Sequence, residues 1–306
     1  MLEIAVEAET GQRRIRVTAQ ELAGLVRRIG GDNDRFLVVQ RVPDLPDVHI
    51  QVWHEAGGDY TLEHRDGGPD RHFQVTVGGP ESVIAAMTGW ARQEPDWKIG
   101  LDWAPLDLGP ATGSVPPLDL DEDERDRLET RLREVLVGGY ATRAQLAEIA
   151  QDHLVSGDHR PVSPGQSWQL VNRMWLERVA EQTAWEGQTD PERLIRAFTA
   201  LEQAGITARE NFTCCRSCGD AEIGGTSAPD AWGFVYFHSQ CTDAAARGHG
   251  LSLLYGAFHG SPATATSIGQ AVASALEEAG LSVEWNGDPL QTITITPLDW
   301  RKRLVG

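Results

Sequence analysis

The chain has 306 residues, enough for two domains of ordinary size, and its hydrophobic content of 41% is typical of a folded protein. With 45 acidic residues against 27 basic ones, the formal net charge is -18, which disfavours binding to nucleic acid and to anionic membranes. No apolar run reaches the roughly 20 residues that a membrane-spanning helix needs. The first residues also lack a signal-peptide pattern. These features predict a cytoplasmic protein.

The first part of the chain, residues 1–108, predicts a small α+β domain. Short alternating segments bounded by Gly, Pro or Asp predict strands. Two stretches near 19–29 and 80–93 have apolar residues at helical spacing. A Pro/Gly-rich segment at 109–121 then predicts a linker, which leaves 122–306 as the second domain.

The sequence of the second domain predicts helices in its first part and a mixture of strands and helices in its later part. The helix at 191–204 is the best specified, because Thr189 and Glu192 fit a capping box and Pro191 suits the first turn. The other predicted helices lie near 122–137, 142–154, 167–183, 244–246 and 268–279. The predicted strands lie near 206–209, 232–238, 251–255, 283–285 and 292–296. The chain is therefore predicted to be an α+β protein of two domains.

All four cysteines fall within one window of 28 residues in the second domain. Cys215 and Cys218 form a Cys-x-x-Cys pair, and His238 and Cys241 form a His-x-x-Cys pair that begins 20 positions after Cys218. Two short ligand pairs can close on one tetrahedral Zn²⁺. The predicted zinc ligands are thus Cys215, Cys218, His238 and Cys241, while Cys214 is an alternate ligand or a free thiol. The concentration of cysteines at one place also disfavours a disulfide framework.

A site with four protein ligands, mostly thiolates, is usually closed and structural. The leading hypothesis is therefore an intracellular zinc-binding protein that binds a protein or small-molecule partner, with a zinc knuckle in which Gly219 supplies a positive φ. The alternative is a metal-dependent hydrolase with an open metal position. Its catalytic residues are not identified by the sequence, although Asp220, Glu222 and Asp243 are carboxylates nearby in the chain.

Two further readings of the cysteines stay open. Cys215 and Cys218 would suit a thiol redox sensor, if a neighbour such as Arg216 lowers the pKa of one thiol. In the other reading the thiols are small buried groups and His238 is a core histidine.

Outside this cluster, few motifs suggest chemistry. Gly67 and Gly68 form a turn flanked by His64 and His72, which fits either a charged hairpin tip or a small metal or anion site. The sequence has no phosphate-binding glycine loop, no zinc-protease motif and no nucleophile elbow. Nucleotide-dependent and α/β-hydrolase functions therefore have no motif to support them.

Four segments of the second domain carry a resemblance to a known family. They are the Thr-Asp-x-x-Arg-Leu helix start, the Cys-Cys-x-x-Cys-Gly turn, the Phe-His strand end and the Leu-x-Tyr-Gly strand. Together they resemble a bacterial family of domains of unknown function, closely over 185–258 and loosely over 122–300. In that family's pattern the position of Cys241 is commonly acidic, which makes Cys241 the least certain of the four ligands, and a mixed ligand shell favours an open site. The first domain resembles a companion module of this family.

Overall fold

The computed structural model describes residues 1–107, 115–259 and 262–304, and these form two compact units. Unit 1 contains the described residues up to 120, residues 142–179 and Leu304, whereas unit 2 contains 121–141 and the described residues of 180–303. Residues 142–179 thus group with unit 1, although the predicted boundaries place them in the second domain. The first part of the predicted linker, 109–114, lies outside the described residues.

Unit 1 is built on a seven-stranded antiparallel sheet of order β2-β1-β3-β4-β5-β6-β7. Its strands are β1 Ile4–Ala8, β2 Arg13–Ile15, β3 Phe36–Arg41, β4 Val48–His54, β5 Tyr60–Asp66, β6 His72–Val77 and β7 Ala104–Pro105. Its helices are α1 Ala19–Arg28, α2 Pro80–Ala91, α4 Arg143–Asp152 and the greater part of α5 Pro164–Thr183.

The core of unit 1 lies between one face of the sheet and the helices α1 and α2. Alternate residues of β5 point into it, because successive side chains of a strand point to opposite faces. Helix α1 begins at the capping box of Thr18 and Glu21, whose mutual bonds measure 2.7 and 3.1 Å. The predicted strand-and-helix character of this region is confirmed.

Contacts far apart in the chain explain why 142–179 belongs to unit 1. The Arg143 guanidinium, in α4, forms an ion pair of 2.6 Å with the buried Asp44 carboxylate. The fully buried Trp175, in α5, donates its indole N–H to the Asp44 backbone carbonyl at 2.6 Å. Burying these polar groups without a partner would be costly, so their bonds to Asp44 hold α4 and α5 in unit 1.

Unit 2 contains a five-stranded mixed sheet of order β11-β12-β10-β9-β8. Its strands are β8 Ile206–Arg209, β9 Gly233–Tyr236, β10 Leu251–Ala257, β11 Val283–Glu284 and β12 Ile293–Ile295. Its helices are α3 Glu122–Gly138, α6 Asp190–Gln203, α7 Arg216–Glu222, α8 Ser239–Ala246 and α9 Pro262–Glu278. Strands β8 and β9 pair in parallel, whereas the other neighbours pair antiparallel.

Local sequence explains helix α6, whose start matches the prediction. The Thr189 backbone N–H donates to the Glu192 carboxylate at 2.8 Å, and Pro191 lies in the first turn. The apolar side of α6, which includes Phe198 and Leu201, packs into the core around β8, β9 and β10. The described residues thus contain nine α-helices and two sheets, which confirms the predicted α+β class. Among them, no helix has the length and apolar character needed to cross a membrane.

Candidate metal centre

The parallel pairing of β8 and β9 determines where the cysteines lie. Arg209 at the end of β8 pairs with Tyr236 at the end of β9, so the segments that follow both strands leave the same edge of the sheet. Two backbone bonds join these segments: Phe212 N–H donates to the Phe237 carbonyl at 2.7 Å, and Ser239 N–H donates to the Thr213 carbonyl at 3.2 Å. The cysteine-bearing turn is thus held beside the start of α8.

The turn from β8 to α7 has two residues in the left-handed region, Asn211 at φ 47° and Thr213 at φ 61°. Asparagine tolerates this conformation, but a β-branched threonine does so only when its surroundings hold it there. The predicted positive φ of Gly219 is wrong, because Gly219 lies inside helix α7 with a negative φ. Its glycine serves another purpose, since the Tyr236 ring occupies the space of a side chain.

Helix α7 sets the spacing of the Cys-x-x-Cys pair, which the sequence had predicted as a tight turn. Cys215 is the N-cap of α7, Cys218 lies in its first turn, and Gly219 N–H donates to the Cys215 carbonyl at 3.0 Å. Tyr236 anchors this short helix by donating its hydroxyl proton to Asp220 at 2.6 Å. The thiols of the pair therefore project from the same end of α7.

Cys214, Cys215 and Cys218 form a compact group of three thiols, which we call the cysteine turn. Their sulfur atoms all lie within 4.8 Å of one another, with Cys214 Sγ 3.7 Å from Cys215 Sγ and 3.6 Å from Cys218 Sγ. Two sulfurs on one tetrahedral zinc are about 3.8 Å apart, since Zn–S bonds measure about 2.3 Å. The group therefore has the dimensions of three corners of a tetrahedral site, and Cys214 is exposed at one of them.

His238 and Cys241, the other two predicted ligands, are not part of this group of three. Cys241 belongs to the hydrophobic core of unit 2, and both residues are only 9% exposed. Cys241 Sγ is 3.6 Å from Nδ1 and 3.5 Å from Nε2 of His238, so the sulfur lies against the ring face. A metal ion instead approaches a histidine nitrogen in the plane of the ring. These two side chains thus contact each other, and the group of three thiols does not include them.

The cysteine turn and the His238–Cys241 pair also differ in the pKa values of their side chains. Hydrogen bonds from the Cys218 backbone and thiol lower the pKa of Cys215, while bonding to Cys214 and Cys215 raises the pKa of Cys218 to about 11. Burial raises the pKa of Cys241 and lowers the pKa of His238, so both are held neutral. Neutral, buried groups suit packing. In the cysteine turn, by contrast, the pKa of Cys215 is lowered and Cys214 is open to solvent.

The donor set of the cysteine turn fits a transition metal. Three thiolates this close repel one another, and a divalent cation relieves that repulsion while displacing the remaining protons. Thiolates favour zinc and other soft ions over calcium or magnesium. Three thiolates leave one tetrahedral position for a further ligand, and the exposure of Cys214 places the group at the surface.

The nearby carboxylates do not complete this group. Asp220 accepts the Tyr236 hydroxyl and lies 3.4 Å from the Arg216 guanidinium, while Asp243 lies 3.9 Å from Arg131. Glu222 is exposed at the end of α7, and among the described residues it is not in a metal-ligating group. Among the described residues, none of the three predicted base candidates therefore joins the thiols in a metal-ligating group.

The histidines of the predicted hairpin site in unit 1 are also apart from one another. His64 lies in the core, where its ring contacts Phe73, Trp97 and Trp103. His72 lies on the other face of the sheet, where its Nε2 is 3.2 Å from a carboxylate oxygen of Glu63. Sequence analysis missed Glu63, and the only signal was its place on a strand of alternating polar residues.

Comparison with known proteins identifies one relationship. The family described as a domain of unknown function, DUF6891, matches residues 121–304. No curated protein and no solved structure matches the chain.

Proposed function

The chain belongs to the DUF6891 family, whose description names no activity, and we propose a function from the cysteine turn. In this proposal the domain is a zinc-binding module in which Cys214, Cys215 and Cys218 bind the ion. The bound ion has one open coordination position. The observation that carries this proposal is the pair of sulfur separations, 3.6 and 3.7 Å, which are close to the edge of a thiolate–zinc tetrahedron. The open position would receive a ligand from a partner molecule, which makes binding the role of the site.

The position of the ligands supports a presenting role over a purely structural one. A structural zinc stabilises a fold by closing a loop between segments that are distant in the chain. Here all three thiols lie between 214 and 218, and backbone bonds already hold the turn beside α8. Metal binding would therefore add little stability to unit 2 as a whole.

The predicted knuckle uses Cys241 as a ligand, whereas the proposed site uses Cys214. The experiment therefore tests which of these two cysteines binds zinc. Purified full-length protein is loaded with zinc and titrated against a chromophoric chelator. We expect about one zinc per chain, a zinc affinity at least tenfold lower in Cys214→Ser, and an unchanged affinity in Cys241→Ala. A zinc affinity that falls in Cys241→Ala and survives in Cys214→Ser would reject the proposed ligands in favour of the predicted knuckle. Failure of the wild type to bind zinc would reject both.

Thiol counting supplies a second readout that does not depend on affinity. In the native protein, removal of zinc should free three thiols to react with a disulfide reagent, while Cys241 should react only after denaturation because it is 9% exposed. Cobalt substitution should give thiolate-to-metal absorption that weakens in Cys214→Ser. Fast reaction of all four thiols in the zinc-free native protein would contradict the burial on which the assignment depends.

Thiol redox chemistry is the second candidate function, favoured by the contact between Cys214 and Cys218. Their sulfurs are 3.6 Å apart at the surface, so a small movement would allow a disulfide. The step would convert two thiols to one disulfide and reduce glutathione disulfide to two glutathione thiols. Zinc-free protein incubated with glutathione disulfide should then lose the mass of two hydrogen atoms, and peptide mapping should find Cys214 joined to Cys218. An unchanged mass would exclude this candidate.

A further inference from the structure

The outer face of the unit 1 sheet, opposite α1 and α2, contains a cavity of about 440 Å³. This volume is within the range of small-molecule sites. Its lining includes the side chains of two rows of paired residues that run across β3, β4 and β5. Trp53 pairs with Phe36 on one side and Thr61 on the other, and Gln51 pairs in the same way with Val38 and Glu63. Side chains of paired residues point to the same face, so all six border one space.

The cavity contains a positioned carboxylate, that of Glu63. Gln51 Nε2 donates to Glu63 Oε2 at 2.7 Å, and His72 Nε2 lies 3.2 Å from the same oxygen. The other oxygen, Oε1, forms no hydrogen bond within the described part of the chain. The Glu63 side chain is 20% exposed, so this oxygen can accept a proton donor from a ligand in the cavity.

Aromatic side chains form the opposite part of the lining. Trp53 is 42% exposed and Phe36 is 36% exposed, high values for rings that form a cavity wall. A cation near an aromatic face is attracted by the negative charge density of the ring. The guanidinium of Arg65, further along β5, is paired with Asp47 at 3.3 Å and does not line the cavity.

We propose that this face binds a small organic cation, an amine or guanidine with an apolar body. Three observations support this: the cavity, the Glu63 carboxylate with only one of its oxygens hydrogen-bonded among the described residues, and the exposed aromatic rings. The cationic group donates to Glu63 Oε1, and the apolar body lies against Trp53 and Phe36. The strong negative charge of the chain adds long-range attraction for such a ligand. This inference concerns unit 1 and is independent of the cysteine turn.

The test compares ligands of one shape and different charge on the full-length protein. The probes are phenethylamine and phenethylguanidine as cations, 2-phenylethanol as the neutral analogue and 3-phenylpropionate as the anion. Calorimetry and protein NMR at pH 8, where ordinary histidines are neutral, measure the dissociation constants. We expect both cations to bind at least tenfold more tightly than the alcohol and the anion not to bind. Equal binding of amine and alcohol, or no binding of either cation at 10 mM, would overturn the proposal.

Variants locate the site. Glu63→Gln keeps the shape of the side chain and should remove the tenfold preference for cations, while Trp53→Leu should weaken amine and alcohol alike. Glu81→Gln, a change at an exposed carboxylate on α2 outside the cavity, should bind like the wild type. Cation binding that survives in Glu63→Gln would place the ligand elsewhere and reject the site. Should Glu63→Gln fail to fold, the shift of the Trp53 indole N–H signal, assigned with Trp53→Phe, decides the location in the wild type.

Discussion

The Tyr236 ring lies so close to the Gly219 α carbon that a β carbon at position 219 would be 2.4 Å from the ring. The contact joins α7, which begins after Cys215 and contains Cys218, to β9 of the unit 2 sheet, between β8 and β10. The tyrosine hydroxyl strengthens this junction by donating to Asp220 at 2.6 Å. The position of the cysteine turn is therefore determined by packing against the sheet as well as by the backbone of the turn.

Substitution of Gly219 by alanine should displace Tyr236 or α7, because the ring is rigid and fully buried. We expect a loss of about 2 kcal/mol in the free energy of unfolding, as is usual for overpacking. We also expect zinc affinity to fall, since the Cys218 thiol moves with the helix. Urea denaturation and chelator competition measure the two effects.

Gly224 provides the matched control, because a β carbon there meets no atom within 4 Å. Gly224→Ala should change neither stability nor zinc affinity appreciably. If Gly219→Ala were as stable as Gly224→Ala, the close packing of Tyr236 would not determine the position of α7.

The sequence predicted the cysteine site in part, and the reasons differ from residue to residue. The clustering and spacing of Cys214, Cys215 and Cys218 are local, so a cysteine site was readable from the chain. The placement of the three thiols relative to one another depends on α7, which packs with Gly219 against Tyr236. That contact joins segments that no periodicity or turn rule connects.

For the fold as well, features with local signals were predicted from the sequence, whereas features that depend on distant contacts were not. Helices that begin at capping residues, such as α6 at Thr189, were predicted because their signals lie within four residues. The membership of α4 and α5 in unit 1 depends instead on Asp44, which meets Arg143 and Trp175 at sequence separations of 99 and 131 residues. A pairing between single polar residues that far apart leaves no pattern in one sequence.

The ion pair between Asp44 and Arg143 should be important for the stability of unit 1. The Asp44 side chain is 8% exposed and the Arg143 side chain 11%, so removing one partner leaves a charge buried without compensation. We expect Asp44→Ala to lower the free energy of unfolding by about 3 kcal/mol, measured by urea denaturation. Glu81→Ala, which breaks the exposed pair with Arg27, should cost less than about 1 kcal/mol. Equal losses in the two variants would contradict the burial of the Asp44 pair.

Acid should destabilise unit 1 through His64, which is 1% exposed and whose Nδ1 has no hydrogen-bond partner among the described residues. Burial is the main reason that its pKa falls from the ordinary 6.5 to about 4. The neighbouring charged or titratable groups that contribute are Lys98, Asp66, His72 and His49. Between pH 6.5 and 4 the unfolded chain therefore binds a proton that the folded protein does not.

The free energy of unfolding should accordingly fall as the pH drops from about 6.5 to about 4, by about 1–2 kcal/mol once solvent screening is allowed for. His64→Phe should remove this part of the acid sensitivity, because a phenyl ring fits among Phe73, Trp97 and Trp103 and takes up no proton. Urea denaturation of wild type and variant at several pH values measures the difference. His159→Phe, at an exposed position, is the control and should keep the wild-type pH dependence. If His64→Phe kept the same slope, the proton uptake on unfolding would belong to other groups.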